Sequence, residues 1–470
     1  MKKNIILAGL IVAGLTGAAR AEEGLNLQEL DQRVKVLERQ LENQADDASA
    51  AKKSTAVVTA DTNGFGIYSA DKAWGLKLGG LVQIDDRTFI DDYNPLPSAA
   101  YGKVGGKSTL PANGGYQADS ILPRRVRLSE TLSLGQYAGA FLQEEFIPSS
   151  SNPAVVDAYG ELKPLKWATL RVGLQKTPLS LERWRSDPAR DFVEFSYLAG
   201  LVTDRDTGAW LELKDADQIA YFGAGVFDGS NDTGSTEVVA DNNKDKDAVA
   251  KLFFQPFRAT GLVTLRDIGV GVAGSAGDHS GSALPTDKSL GQGQTIFSLS
   301  NTAAVKGDGG DYRLVPQAYA YYGSLSFLGE YLREGGAYVF NGQEYYLTNE
   351  SWDAQLGWWL TGEDASFSAV KLNPNSSHSW GALQLAGRYS GINFDPGYAA
   401  NGVVDNSKNT VVSAVRSWDV ALNYVPTNNV KVLVDYAESY FTDGGGIDLA
   451  GARLALAPEK VLFTRVQFNF

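Results

Sequence analysis

The last ten residues, VLFTRVQFNF at positions 461–470, set Val466, Phe468 and Phe470 against Arg465, Gln467 and Asn469. Period-two alternation specifies a strand with one apolar and one polar face. In a soluble protein the apolar face meets a core. In a membrane barrel it meets lipid, and the polar face lines an aqueous interior. The pattern recurs upstream. WGLKLGGLVQIDDRTF (74–89) sets Trp74, Leu76, Leu78, Val82 and Ile84 against Lys77, Gln83, Asp85 and Arg87. SWDVALNYVP (417–426) and NVKVLVDYAES (429–439) alternate in the same way. In YAYYGSLSFLGEYL (319–332), Tyr319, Tyr321, Leu325, Phe327 and Tyr331 are expected on one face, against Ser324, Ser326 and Glu330.

Two features favour lipid over a soluble core. The polar faces carry charges, which a packed core accepts only at a large desolvation cost. The apolar faces carry aromatics near strand ends, as interfacial girdles do. From Asn63 onward, hairpins of about 25 residues per strand and connection give on the order of 16 strands. The fold class expected is all-β: a transmembrane antiparallel β-barrel, preceded by a short N-terminal coiled-coil helix. Tracts rich in Gly, Asp, Asn and Ser at 91–118, 228–247, 274–293, 304–311, 361–377 and 392–409 read as surface loops.

The chain begins with Lys2 and Lys3, the apolar run IILAGLIVAGL and a small-residue ARA site at Ala19–Ala21. That is the form of an export signal, expected over 1–21. In LNLQELDQRVKVLERQLENQ, Leu27, Leu30, Val34, Leu37, Leu41 and Gln44 are spaced alternately by three and four, a heptad seam. A periplasmic coiled-coil segment is expected over 22–45 and a linker over 46–62, with the barrel occupying 63–470. The expected location is the outer membrane of a Gram-negative cell.

Enzymatic signals are weak. There is no cysteine, and the two histidines, His279 and His378, sit in Ser/Gly-rich loop sequence. YGKVGGKST (101–109) resembles a phosphate-binding loop, but the first required glycine is Tyr101 and no helix pattern follows. DNNKDKD (241–247) lacks the glycine hinge and closing glutamate of a calcium loop. No cofactor, no metal, no enzymatic activity and no nucleic-acid partner are expected. A barrel-borne hydrolase or a surface-binding protein is the contrasting class.

Several stretches resemble the phosphate-selective porin O/P family. These are WGLKLGGLVQID, PRRVRLSETLSL, VVDAYGELKPLKWATLRVGLQKTPLSLERWRSDPARDFVE, RDTGAWLEL, AQLGWWLTGED, GALQLAGRYSGINF and the closing LFTRVQFNF, in family order. The resemblance implies a homotrimer of sixteen-stranded barrels in outer-membrane lipid, inserted by barrel-assembly machinery that reads the terminal Phe. It also implies a pore narrowed by its third loop and lined by basic residues that pass phosphate or other small anions. Arg124 and Arg125 match the family's paired central arginines, and Arg127 shares a face with Arg125. Strict alternation would turn one of the pair outward, unless a bulge after Pro123 lets both face the lumen. Asp157 matches an acidic central position, Arg183 a basic loop position and Ser186 a hydroxyl position. Lys77 and Arg87 join them on the polar face of the first strand.

The chain departs from the pattern at three places. Leu81 stands where phosphate-selective members carry arginine, and Asp187 replaces a loop hydroxyl. The stretch 333–350 holds one arginine and three glutamates where those members are basic. The expected function is therefore facilitated diffusion of phosphate or another small anion, with a weakly selective porin for small hydrophilic solutes as the alternative.

Overall fold

The computed structural model describes residues 31–43, 56–61, 64–90, 119–147, 154–229, 245–278, 305–372, 380–400, 412–447 and 458–470, with short pieces between them. The export signal, His279 and His378 lie outside these residues, as does most of 241–247. Within 101–109, 103–104 and 107–108 pair as short strands. Residues 31–43 are helical, and Val34, Leu37 and Leu41 are exposed on that helix. The helix and the barrel belong to separate compact units.

Sixteen strands form the barrel. They are β1 (Trp74–Phe89), β2 (Ser120–Leu134), β3 (Ala138–Glu145), β4 (Ala154–Leu165), β5 (Ala168–Lys176), β6 (Arg205–Lys214), β7 (Ala220–Phe227) and β8 (Asp247–Phe254). Then follow β9 (Asp267–Asp278), β10 (Val305–Tyr322), β11 (Leu325–Phe340), β12 (Gln343–Trp359), β13 (Ala382–Asn393), β14 (Val412–Thr427), β15 (Val430–Ile447) and β16 (Glu459–Asn469). Each pairs antiparallel with the next. β16 then returns to β1, from Val461 opposite Phe89 to Asn469 opposite Leu81. Closure leaves no long unpaired edge. Beyond Leu81 the ladder on β1 passes to Gly64–Tyr68, with Phe65 opposite Leu78. Val57–Asp61 pairs with that strand in turn, so the stretch expected to be a linker contributes a strand.

The faces follow the alternation. Along β16, Glu459, Val461, Phe463, Arg465 and Gln467 are buried inside the barrel, while Phe468 on the outer face is 46% exposed. Inside, Arg465 grips the Asp85 carboxylate with two bonds of 2.6 and 2.7 Å. Outside, Trp74, Tyr137, Trp167, Tyr322 and Trp358 are exposed near the short-turn end, an aromatic band.

Three expectations are corrected. Tyr319 and Tyr321 face inward, not outward with Leu325 and Phe327. Only Gly323 and Ser324 separate β10 from β11, and Tyr322 pairs with Leu325, so the inward parity switches from odd to even across this turn. The Gly/Asp-rich tract 304–311 is not a surface loop over its described residues: β10 includes 305–311, with a bulge between Gly307 and Asp311. Pairing of Lys306 and Gly307 with Val339 and Tyr338 overrides its low strand propensity. Nor is the interior uniformly polar. At the long-connection end Phe297 stacks on Phe394 at 4.3 Å, and Tyr398 packs against Phe297 and Tyr338.

Candidate functional site

Between β5 and β6 the chain turns into the barrel over residues 177–204. Its first helical turn, α1 (Leu181–Trp184), is capped by Ser180, whose hydroxyl accepts from the Arg183 N–H. Glu330 on β11 completes this cap, accepting from Ser180 Oγ at 2.9 Å and the Glu182 N–H at 3.0 Å. A second turn, α2 (Tyr197–Leu201), is capped by Ser196.

The inward loop is tied to the wall on several sides. Arg388 on β13 binds Asp419 at 2.6 Å and Glu182 of the loop at 3.1 Å. Lys431 donates to the Arg190 carbonyl, and Arg465 to the Val193 carbonyl. Asp435 accepts from the Val193 N–H, and Asn423 donates to the Asp191 carbonyl. These anchors come from β13 to β16. Arg87, Arg124 and Arg127 on β1 and β2, Arg313 and Gln317 on β10 and Glu330 on β11 hold the loop as well, and an open space remains between it and β1 to β8, with Tyr319 of β10 on its rim.

The open space is a cavity of about 900 Å³. Its lining carries seven basic side chains, Lys77, Arg127, Arg171, Lys176, Arg205, Lys214 and Lys251. Three acidic ones oppose them: Asp157, Asp187 and Glu212. A chain with formal charge −13 therefore surrounds a lumen rich in cations. Arg171 and Lys214 share Glu212, at 2.6 and 2.7 Å. Asp157 accepts both forks of Arg205 at 3.1 Å. Lys77 and Lys251 have no hydrogen bond or ion pair among the described residues.

The residues picked from sequence divide into two groups. Lys77, Arg127, Asp157 and Ser186 line the cavity. Arg87, Arg124, Arg125 and Arg183 do not, and are held by the loop or wall instead. Arg87 and Arg124 meet at the Glu194 carboxylate, at 2.7 and 3.0 Å. Both central arginines do reach the interior. Gln83 pairs with Arg125 and Ile84 with Pro123, so Arg124 is the extra residue of a bulge. Arg125 donates to Gln83 at 2.9 Å and lies 3.9 Å from Asp187. Arg183 donates to the Ala199 carbonyl and pairs with Asp204 at 3.3 Å. Leu81 lines the cavity and brings no charge.

Cavity residues passed over in the sequence are Arg171, Lys176, Arg205, Lys214 and Lys251, together with Tyr221 and Tyr319. Alternation within β5, β6 and β8 was the available signal, since Arg171, Glu212, Lys214 and Lys251 all fall on inward positions. The β12–β13 connection adds Phe367, in a tract expected to be surface loop.

The loop carboxylates are strong anchors. Burial raises the proton affinity of Glu194, but Arg124 and Arg87 outweigh it and hold the carboxyl below the usual range. Burial acts likewise on Asp187 and is outweighed by Arg125, Arg190 and Arg127, which hold it well below. Ionised at neutral pH, these groups pin the loop and cancel part of the basic charge nearby.

A sequence profile of the phosphate-selective porin O and P family matches residues 124–470. The chain belongs to that family. No curated protein matches it in sequence. In fold, the porin is similar to the trimer form of OmpT, an outer membrane protein of Vibrio cholerae. The two are 10% identical, with 85% of this chain and 100% of that one covered and a TM-score of 0.50. The outer membrane channel DcaP of Acinetobacter baumannii is 14% identical, covering 87% of this chain and 100% of that one, with a TM-score of 0.49. An anion-selective porin from Comamonas acidovorans is 11% identical, covering 84% and 99%, with a TM-score of 0.49. Family and barrel together make this protein an outer-membrane porin channel rather than an enzyme.

Proposed function

We propose that this porin passes phosphate or other small anions by facilitated diffusion through its cation-lined lumen. The observation that carries this reading is the excess of basic over acidic side chains on the cavity, with Lys77 and Lys251 unpaired among the described residues. An anion entering the constriction sheds part of its water, and fixed cations compensate. A pair 4 Å apart is worth about 1 kcal/mol in water and about 4 kcal/mol at an effective dielectric constant of 20. Several moderate sites in series keep the ion moving, where one deep site would trap it. Arg127 and Ser186 serve as donors beside the ammonium groups, and Asp157 orients Arg205. Arg87, Arg124 and Arg183 shape the loop rather than bind solute. A homotrimer is the proposed assembly, with the N-terminal heptads as its coiled-coil stalk and the terminal Phe as the signal to the assembly machinery.

A weakly selective porin for small hydrophilic solutes is the second reading, supported by Leu81 and by the neutralisation of Arg87, Arg124 and Arg183. Reversal potential in planar bilayers under a KCl gradient separates the two. The anion reading expects a potential close to that of chloride, and phosphate added to the bath to reduce the chloride current. A potential near zero, unaffected by phosphate, would assign the weakly selective role.

A further inference from the structure

The cavity wall has an aromatic side as well as a cationic one. Tyr319 stands at the centre of a stack, its ring 5.0 Å from Phe253 and 5.6 Å from Phe367 between centroids. All three line the cavity. Phe367 comes from the β12–β13 connection, at the opposite end of the barrel from the β5–β6 connection that forms the inward loop. Arg185 of that loop joins the two segments. Its guanidinium lies 5.9 Å from the Phe367 ring and donates to the Phe367 carbonyl at 3.2 Å. Tyr221 packs on the same cluster.

Cations sit directly beside this surface. Lys251 shares the inward face of β8 with Phe253, two residues away, and its Nζ is 5.3 Å from the Trp184 ring. Lys214 Nζ is 5.4 Å from the Tyr221 ring. A small hydrated inorganic anion gains little from such a wall, because ring faces carry negative quadrupole density and offer no donors. An anion with a flat apolar body uses both halves. Its charge meets the ammonium groups while its ring lies on the stack and leaves water.

Resting on the anion-channel reading above, we propose that this wall is a subsite for small aromatic carboxylates. Tyr319 and Phe367 are its specificity-determining rings, and Lys251 is the carboxylate's partner.

The test uses the whole porin in planar bilayers, with benzoate, acetate and inorganic phosphate each titrated against a chloride current. Benzoate should halve the current at a concentration at least about fivefold below that of acetate or phosphate. Phe367→Ala and Tyr319→Ala should each bring benzoate to within about twofold of acetate. Tyr319→Phe keeps the ring and loses the hydroxyl that accepts from Gln255 Nε2 at 2.8 Å, so it should keep the benzoate preference and show that the channel still folds. Equal half-blocking concentrations of benzoate and acetate in the wild type would overturn the proposal, as would a preference that survives loss of either ring. The reversal potential separates this failure from a deeper one. An anion-selective channel indifferent to benzoate removes the aromatic subsite alone, whereas a cation-selective wild type removes the anion reading beneath it.

Discussion

Arg127 on β2 donates to the Asp187 carboxylate at 2.8 Å, joining the barrel wall to the tip of the inward loop at the edge of the cavity. Arg190 reaches the same carboxylate at 2.7 Å. One acidic group thus holds the constriction in shape and subtracts a charge from it.

Asp187→Asn separates these roles. It keeps an acceptor for Arg127 and removes the charge, so chloride-over-potassium permeability should rise about twofold to tenfold. The same change should lower resistance to thermal unfolding, since breaking one side of a buried pair costs about 3–5 kcal/mol. An unchanged reversal potential would mean that solute does not sense Asp187.

Lys77→Gln and Lys251→Gln test the unpaired cations. Each should lower chloride-over-potassium permeability by about twofold to tenfold, and the double variant should lower it further. Bi-ionic potentials measure this. If both single variants match the wild type, these lysines are not on the ion's path.

Arg388→Met tests the far anchor. Without the guanidinium, Asp419 and Glu182 are left buried and like-charged, and the loop loses a tie to β13. Single-channel conductance should increase and become noisier as the loop loosens. A quiet channel of wild-type conductance would show that the other anchors suffice.

The loop carboxylates give a pH dependence of definite sign. Glu194 and Asp187 hold their protons more weakly than ordinary Glu and Asp side chains, which titrate at about 4.3 and about 3.9. Their stabilising effect is complete above those values and disappears as pH falls through the lowered ones. The constriction should therefore keep its conductance and selectivity from pH 7 to about pH 4 and change only in stronger acid. A transition centred near pH 4.5 would point to ordinary carboxylates instead.

Gly173 on β5 adopts φ of +131°, and a Cβ there would stand 2.2 Å from the Ala158 carbonyl oxygen. Gly173→Ala should destabilise the barrel by about 1–3 kcal/mol. The thermal midpoint of the detergent-folded protein measures the loss.

What the sequence determined is what depends on neighbours two residues apart. Alternation fixed which side of β1, β14, β15 and β16 faces outward, and the strand count followed from hairpin spacing. Pro123 beside paired arginines marked the bulge that turns both inward. The inward loop was legible through its family resemblance. Its partners were not, because most of them lie 60 or more residues away, as Arg127 does from Asp187, and Glu330 lies 150 from Ser180. Tertiary structure alone decided which strands hold the loop, among them β13 through Arg388 and β10 through Arg313, and that Arg87 and Arg124 are spent on Glu194. It also decided that Lys251 and Tyr319 share the open cavity. A strand's own pattern says which face is wet; only closure of the barrel around the loop decides which wet residues meet solute and which meet each other.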